Sequence, residues 1–510
     1  MLSIVKSLAL HGLQGYLVNI QVDISAGMPS FEIVGLPDTS IREAKERVKT
    51  AIKNSTSEFL SRKIVVNLAP ANTKKEGSIF DLPIAVGILI ASGFIYNADL
   101  ENTILIGELS LDGTICPIKG ILPICIEAKH LGMKRIILPK ANAKEASIID
   151  GLEIIAISNL NEIIDYLNGY FSISPEPPSH FISNPNSSYE FDFSEVKGQE
   201  NVKRALEISA AGGHNCLLIG SPGSGKTMLA RRLPSILPNL TFDEALEITK
   251  IHSISGLLSE NTPFIFKRPF RSPHHTITET SLVGGGRIPK PGEISLAHFG
   301  VLFLDELPEF NKSTLEVLRG PLEDKMVTIS RVDFSTTYPC NFMFIASMNP
   351  CPCGYYGSKE KQCTCREDQI QKYIHKISGP LLDRIDIHIE VEGINYQKLG
   401  NDSPSESSSE IRRRVNTARN IQINRYKNYH IFSNSELTPK LISKYCKLSS
   451  KSKQVLEKAF NQLGLSARAY SRILKVARTI ADLDNSKNIQ TSHLIEAIQY
   501  RSLDRKYWNR

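Results

Sequence analysis

The chain has 510 residues and a formal net charge of +7, with 60 lysines and arginines against 53 aspartates and glutamates. Its 41% hydrophobic and 22% charged composition is that of a soluble globular protein, with room for about three domains of ~150 residues. The charge permits a polyanionic partner without requiring one.

No basic cluster precedes a long apolar stretch between Met1 and Leu13, which argues against a secretory signal. The most apolar window, Leu82 to Ile95, is short and glycine-interrupted, so it reads as a buried helix and not a membrane span. A cytoplasmic chain with no membrane contact is expected. Five of its nine cysteines fall between Cys340 and Cys365, a pattern suited to metal or core packing and not to disulfides.

Residues 1–171 read as mixed α/β. Val18, Ile20, Val22 and Ile24 alternate with Asn19, Gln21 and Asp23, predicting a strand with one wet face. Ile41, Ala44, Val48 and Ile52 recur at helical spacing. Further strands are expected at Ile64–Leu68, Thr103–Gly107 and Arg135–Leu138. Residues 172–190 are rich in Ser, Pro and Asn and read as a linker. Strands and helices then alternate through residues 191–393. A Ser-rich stretch from Gly400 to Ser409 follows, and residues 394–510 read as predominantly helical.

Gly220-Ser221-Pro222-Gly223-Ser224-Gly225-Lys226-Thr227 fits the P-loop pattern in full. It follows an apolar strand, Cys216–Ile219, and opens a helix, Met228–Leu233. Glycines let backbone N–H groups wrap phosphates, Lys226 is placed for the β- and γ-phosphates of ATP, and Thr227 for Mg²⁺. A chance Gly-rich turn would lack that flanking strand and helix. The apolar run Val301–Leu304 ends in Asp305 and Glu306. Such a strand delivers one carboxylate to hydrated Mg²⁺ and another, Glu306, to polarise the attacking water. A third apolar strand, Phe342–Ile345, ends near Asn349, whose side chain could orient that water or simply serve the turn before Pro350.

The order of P-loop, Leu-Asp-Glu, strand-Asn and Leu381-Leu-Asp-Arg384-Ile-Asp386 resembles the AAA+ superfamily. The resemblance implies an arginine finger at Arg384 that reaches the ATP of a neighbouring subunit. Such a finger contributes ~10³–10⁵ in rate. The plain alternative is an arginine paired with Asp383 or Asp386. Arg468, in Ser466-Ala-Arg468 after Gly464, resembles the sensor-2 arginine. Tyr470, Ile473, Ala477 and Ile480 form the apolar stripe of its helix, and Lys475 reads as part of a solvated basic face. Gly198 and Gln199 fall where the superfamily contacts adenine.

Arg268-Pro-Phe-Arg271-Ser-Pro-His274-His275, Leu282-Val-Gly284-Gly285-Gly286-Arg287 and Pro291-Gly-Glu-Ile-Ser295-Leu-Ala-His298 resemble the magnesium-chelatase-like branch. Met326 to Asn341 reads as a β-hairpin carrying Arg331, which related helicase-like members point into a central pore. His274 and His275 are either metal ligands or structural and inter-subunit residues; adjacent histidines point differently on most backbones, which favours the second.

Gly107-Glu-Leu-Ser-Leu-Asp-Gly113 through Pro117-Ile-Lys-Gly120 resembles the proteolytic domain of Lon. Leu122 stands where the catalytic lysine belongs, and Ile79 where the nucleophile belongs, with Ser78 one residue away across a gap. A serine without its base is a weak nucleophile, so the domain is expected to be non-catalytic.

Together, a Lon-like α+β domain, an AAA+ P-loop α/β domain and a C-terminal helical lid ending in a helix over Thr491–Asp504 resemble the ComM/YifB family. That resemblance implies a homo-hexamer driving branch migration on DNA, branched or single-stranded and independent of sequence, during recombination or natural transformation. Arg331 and Arg287 are the implied DNA contacts. A chelatase-type motor that remodels a protein partner is the alternative, but the chelatase ATPase subunit is expected to resemble only the central part of the chain. An ATP-dependent protease fails on the missing lysine.

Cys351-Pro-Cys353 and Cys363-Thr-Cys365 offer four thiolates for a tetrahedral Zn²⁺ site, in a spacing tighter than the usual two-residue gap. The other reading is a redox-inert loop, and Cys340 is a substitute ligand.

Overall fold

A computed structural model describes residues 2–56, 59, 61–179, 189–259, 261–286, 289–330, 335–358, 361–393, 405–429, 431–463 and 466–508. Two compact units emerge. The first comprises Met1–Ser183 with Phe242–Ile265, and the second Asn184–Thr241 with Phe266–Arg510.

In the first unit, the alternation along residues 14–25 produces a half-buried strand. Val18, Ile20, Val22 and Ile24 face the core, while Asn67 donates to Gln21 on the wet side at 2.9 Å. This strand pairs antiparallel with Leu2–His11, with Leu8 opposite Leu17. Five further strands complete a mixed sheet ordered Ser30–Val34, Lys63–Ala69, Gln14–Ser25, Leu2–His11, Thr103–Leu105, Arg135–Pro139, Glu153–Ile157. Helix Thr39–Thr56 buries Ile41, Ala44, Val48 and Ile52 as their spacing predicts. The apolar window becomes helix Asp81–Ser92, buried around nearly its whole circumference, and no helix among the described residues is long and apolar enough to cross a membrane.

Helix Phe242–Ser255, drawn from the middle of the sequence, belongs to this same unit. It packs on helix Ile121–His130 through a face that buries Ala245, Ile248 and Ile251. The Ser253 carbonyl accepts from Gly120 N–H at 3.2 Å, and its hydroxyl bonds the buried Glu145.

The second unit is built on five parallel strands ordered Phe270–Arg271, Val301–Leu304, Met343–Met348, Cys216–Gly220, Ile387–Val391. The three middle strands are apolar and completely buried, as a sheet covered on both faces requires. Helices follow from Ser408 onward. Two details differ from the sequence reading. The last helical stretch breaks at Tyr500–Arg501 into Thr491–Gln499 and Ser502–Tyr507. In helix Ala467–Leu483 the buried stripe holds Ile473, Ala477 and Ile480, but Tyr470 turns outward.

Candidate active site

The P-loop leaves strand Cys216–Gly220 at Gly220, where a Cβ would lie 2.3 Å from the Val391 carbonyl oxygen, so only glycine fits. Gly225 then takes φ +88° and helix Lys226–Arg232 begins. The Lys226 ammonium donates to the carbonyls of Gly220 (2.8 Å) and Ser221 (2.9 Å) and to Asn349 Oδ1 (3.2 Å). Burial lowers its pKa, against the opposing charges of Asp305 and Glu306. Phosphate oxygens offer this ammonium a charged replacement for the two loop carbonyls.

Val301–Leu304 carries Asp305 to the sheet edge, where Thr227 Oγ1 donates to Asp305 Oδ2 at 2.6 Å. A hydroxyl and a carboxylate so placed fit a Mg²⁺ whose remaining positions are filled by phosphate and water. Glu306 follows at φ +54°, a left-handed conformation that costs a non-glycine residue about 1–3 kcal/mol. That turn presents its side chain to solvent.

Ser347 completes this cluster and is absent from the sequence reading. Its hydroxyl bonds Asp305 Oδ1 and accepts from Glu306 N–H at 3.3 Å. The available signal was period 2: Ser347 and Asn349 lie two residues apart, on one face of the strand end.

Arg384 pairs with neither aspartate beside it. Its guanidinium donates to the carbonyls of Arg319 (3.0 Å) and Pro380 (2.6 Å) and lies 2.6 Å from Glu323. Asp383 instead faces Arg468 at 3.4 Å, and Asp386 binds Arg472 and His214, the latter at 3.1 Å. Burial would raise the Asp386 pKa, but Arg472 and His214 hold it well below the usual carboxylate range. Two ion pairs, Asp383 with Arg468 and Asp386 with Arg472, thus tie the Arg384 segment to helix Ala467–Leu483. Lys475 is not on a solvated face; its ammonium donates to the Ser435 carbonyl at 2.7 Å.

Gly198 and Gln199 both take left-handed backbone, and Gln199 Nε2 donates to the Glu392 carbonyl at 2.6 Å. Arg287 and Arg331 lie outside the described residues. Around them, Gly284–Gly285 pairs with Lys290–Pro291, and Met326–Ser330 with Ser335–Pro339. The two hairpins adjoin, since Tyr338 Oη donates to the Pro289 carbonyl at 2.9 Å. The His274 and His275 rings lie 4.0 Å apart between centroids, tilted by 37°, and join no metal-ligand group among the described residues. Arg271 forks onto Glu293 at 2.6 and 2.7 Å.

Cys351, Cys353, Cys363 and Cys365 converge, all four sulfurs within 4.8 Å of one another. Cys340 is not among them; it is buried, which pushes its thiol up to about 12. In the first unit Leu122 is fully buried and its N–H donates to Glu145 at 3.1 Å, while Ser78 bonds Glu108.

Comparison with known proteins bears on this arrangement. A family described as Magnesium chelatase, subunit ChlI, matches residues 192–399; Subunit ChlI of Mg-chelatase matches 20–142; and the ChlI C-terminal family matches 405–501. The chain is 43% identical over 508 residues to the uncharacterized protein YifB of Escherichia coli, covering 99% of this chain and 98% of that one. It is 42% identical over 509 residues to the competence protein ComM of Haemophilus influenzae, with the same coverage. The chain belongs to the ComM/YifB family of magnesium-chelatase-like proteins.

Membership of the magnesium-chelatase-like AAA+ family implies use of ATP and Mg²⁺ by a ComM/YifB protein. A partial likeness to Lon protease 2 of Bacillus subtilis, 30% identical over 181 residues or 32% of either chain, accords with a Lon-like region. The chelatase likeness is not confined to the central part, as expected from sequence, but extends to residues 20–142 and 405–501. It is the full-length match to ComM and YifB that is specific.

Proposed function

We propose that this chain is an ATP-driven DNA motor that works as a homo-hexameric ring and moves branched or single-stranded DNA without reading its sequence. The observation that carries the reading is the gathering of Lys226, Asn349, Thr227 and Asp305 at the P-loop of a chain 42% identical over 509 residues to a protein named for competence.

In this reading Lys226 and the P-loop amides hold the phosphates, Thr227 and Asp305 hold Mg²⁺, and Glu306 polarises water that Asn349 orients. Gln199 and Gly198 border the adenine. Arg468 contacts the γ-phosphate from the lid, and Arg384 completes the site of the next subunit. The adjoining hairpins that carry Arg287 and Arg331 face the pore, where basic side chains meet phosphates.

The test is ATP turnover of the full chain with and without forked or four-way DNA, at rising salt. DNA should stimulate turnover and the stimulation should fade with salt. Arg331→Ala should keep basal turnover and lose the stimulation. A chelatase-type remodelling ATPase, favoured by the description of the family that matches residues 192–399, predicts no response to any DNA.

A further inference from the structure

We propose that Cys351, Cys353, Cys363 and Cys365 bind one Zn²⁺, and that this metal fixes the loop carrying Asn349 so that bound ATP can be hydrolysed. The second half of this inference rests on the ATPase reading of the P-loop and is independent of DNA.

The geometry of the sulfurs comes first. Cys351 and Cys353 Sγ are 3.4 Å apart, Cys351 and Cys363 3.7 Å, and Cys353 and Cys363 3.6 Å. A tetrahedron of Zn–S bonds near ~2.3 Å has edges of about 3.8 Å, so the cluster is already close to the size of one metal ion. A disulfide needs sulfurs at about 2.05 Å, well inside any of these separations.

Backbone donors point at the sulfurs as well. Cys353 N–H donates to Cys365 Sγ at 3.4 Å, and Tyr356 N–H to Cys351 Sγ at 3.3 Å. N–H groups aimed at sulfur stabilise thiolates and orient them, as the surroundings of metal-bound cysteine do. Four soft thiolate ligands select zinc over the hard cations. Binding converts thiols to thiolates, and the protons pass to solvent.

Position gives the site its consequence. Cys351 lies two residues beyond Asn349, which accepts from Lys226. A Cβ at Gly354 would lie 2.4 Å from Pro222 Cδ, so the loop backbone rests directly on the P-loop. On its other side Tyr356 meets the Tyr507 ring at 6.4 Å between centroids. The loop therefore spans from the P-loop to the last helix, and a metal that closes it fixes where Asn349 stands. Loss of the metal should leave the phosphate cradle, which has its own backbone, and disturb the water-orienting side chain.

The experiment uses the full chain, purified under reducing conditions. Elemental analysis should find about one zinc per chain and no iron. Cobalt replacement should give thiolate-to-metal absorption. Cys363→Ser/Cys365→Ser should abolish both signals, keep affinity for a fluorescent ADP analogue within about threefold, and lower DNA-free turnover about tenfold. To separate misfolding from loss of metal, the wild-type chain is also stripped with a chelator, and zinc re-addition should restore turnover. Asn349→Ala should lose turnover yet retain zinc. Reduced protein without zinc, and with no cobalt–thiolate band, overturns the site. Zinc that can be removed without change in turnover overturns the coupling. Absence of DNA stimulation bears on the motor reading and leaves this one standing.

Discussion

Arg384 lies 2.6 Å from Glu323 and is 7% exposed, so the arginine assigned to a neighbour's nucleotide is held inside its own chain. Two backbone carbonyls, of Arg319 and Pro380, share the hold. In the proposed ring, the finger must exchange these partners for phosphate when subunits meet.

That exchange can be measured. Arg384 is buried but Glu323 is half exposed, so solvent screens the pair from one side and its contribution is of order 1 kcal/mol, or roughly fivefold in an equilibrium. Glu323→Gln should lower the protein concentration for half-maximal turnover by no more than about fivefold, with kcat little changed. Arg384→Ala should turn over poorly at every concentration. Mixing Arg384→Ala with Lys226→Ala should restore part of the activity, because mixed rings contain some sites with an intact P-loop and an intact finger. No rescue in proven mixed rings would remove Arg384 from the neighbour's site.

Glu306 and Ser347 should separate chemistry from binding. Glu306→Gln removes the water-polarising carboxylate and leaves the phosphate cradle, so nucleotide should bind and turn over slowly. Ser347→Ala removes a hydrogen bond to a charged carboxylate, of order 1.5–3 kcal/mol. A fall in kcat of about tenfold or more, with KM nearly constant, is expected. Lys226→Ala should instead weaken binding itself. Steady-state kinetics with a direct nucleotide-binding measurement distinguish these outcomes.

Asp386 gives an acid-stability prediction. Its carboxyl is held below the usual range, so its contribution is present above the ordinary value and is lost as pH falls through the depressed one. Arg472→Gln leaves the buried carboxylate with His214 and the field of Lys475. Stability at neutral pH should drop by about 3 kcal/mol, the low end for a broken buried pair, and the acid-unfolding midpoint should move to higher pH. Unchanged acid unfolding would show that Arg472 does not govern this carboxyl.

The first unit should cleave no peptide, with or without ATP. Leu122 supplies no amine, and the Ser78 hydroxyl is engaged by Glu108. An unfolded protein substrate, followed by gel electrophoresis, should stay intact. Cleavage abolished by Ser78→Ala would refute this.

The sequence announces what is local. The P-loop, the Asp305-Glu306 pair and the helical stripe through Ile473 and Ala477 are written in adjacent or periodic residues, and the fold places them accordingly. What it hides is tertiary. No spacing rule connects Arg384 to Glu323, sixty-one residues earlier by number, or Asp386 to Arg472. Ser347 escaped because a serine inside an apolar strand looks like ordinary core. The four cysteines were legible as a set, but only folding shows their sulfurs at metal-sized separations.

Helix Phe242–Ser255 carries a lesson for dissecting the gene. A fragment beginning in the linker would encode the whole nucleotide site, yet it would also encode a helix whose covering partner, Ile121–His130, had been left behind. Ala245, Ile248 and Ile251 would then meet water, and such a fragment would tend to clump through them. A clean ATPase fragment requires two cuts, one in the linker and one that replaces residues 242–265 with a short polar connection.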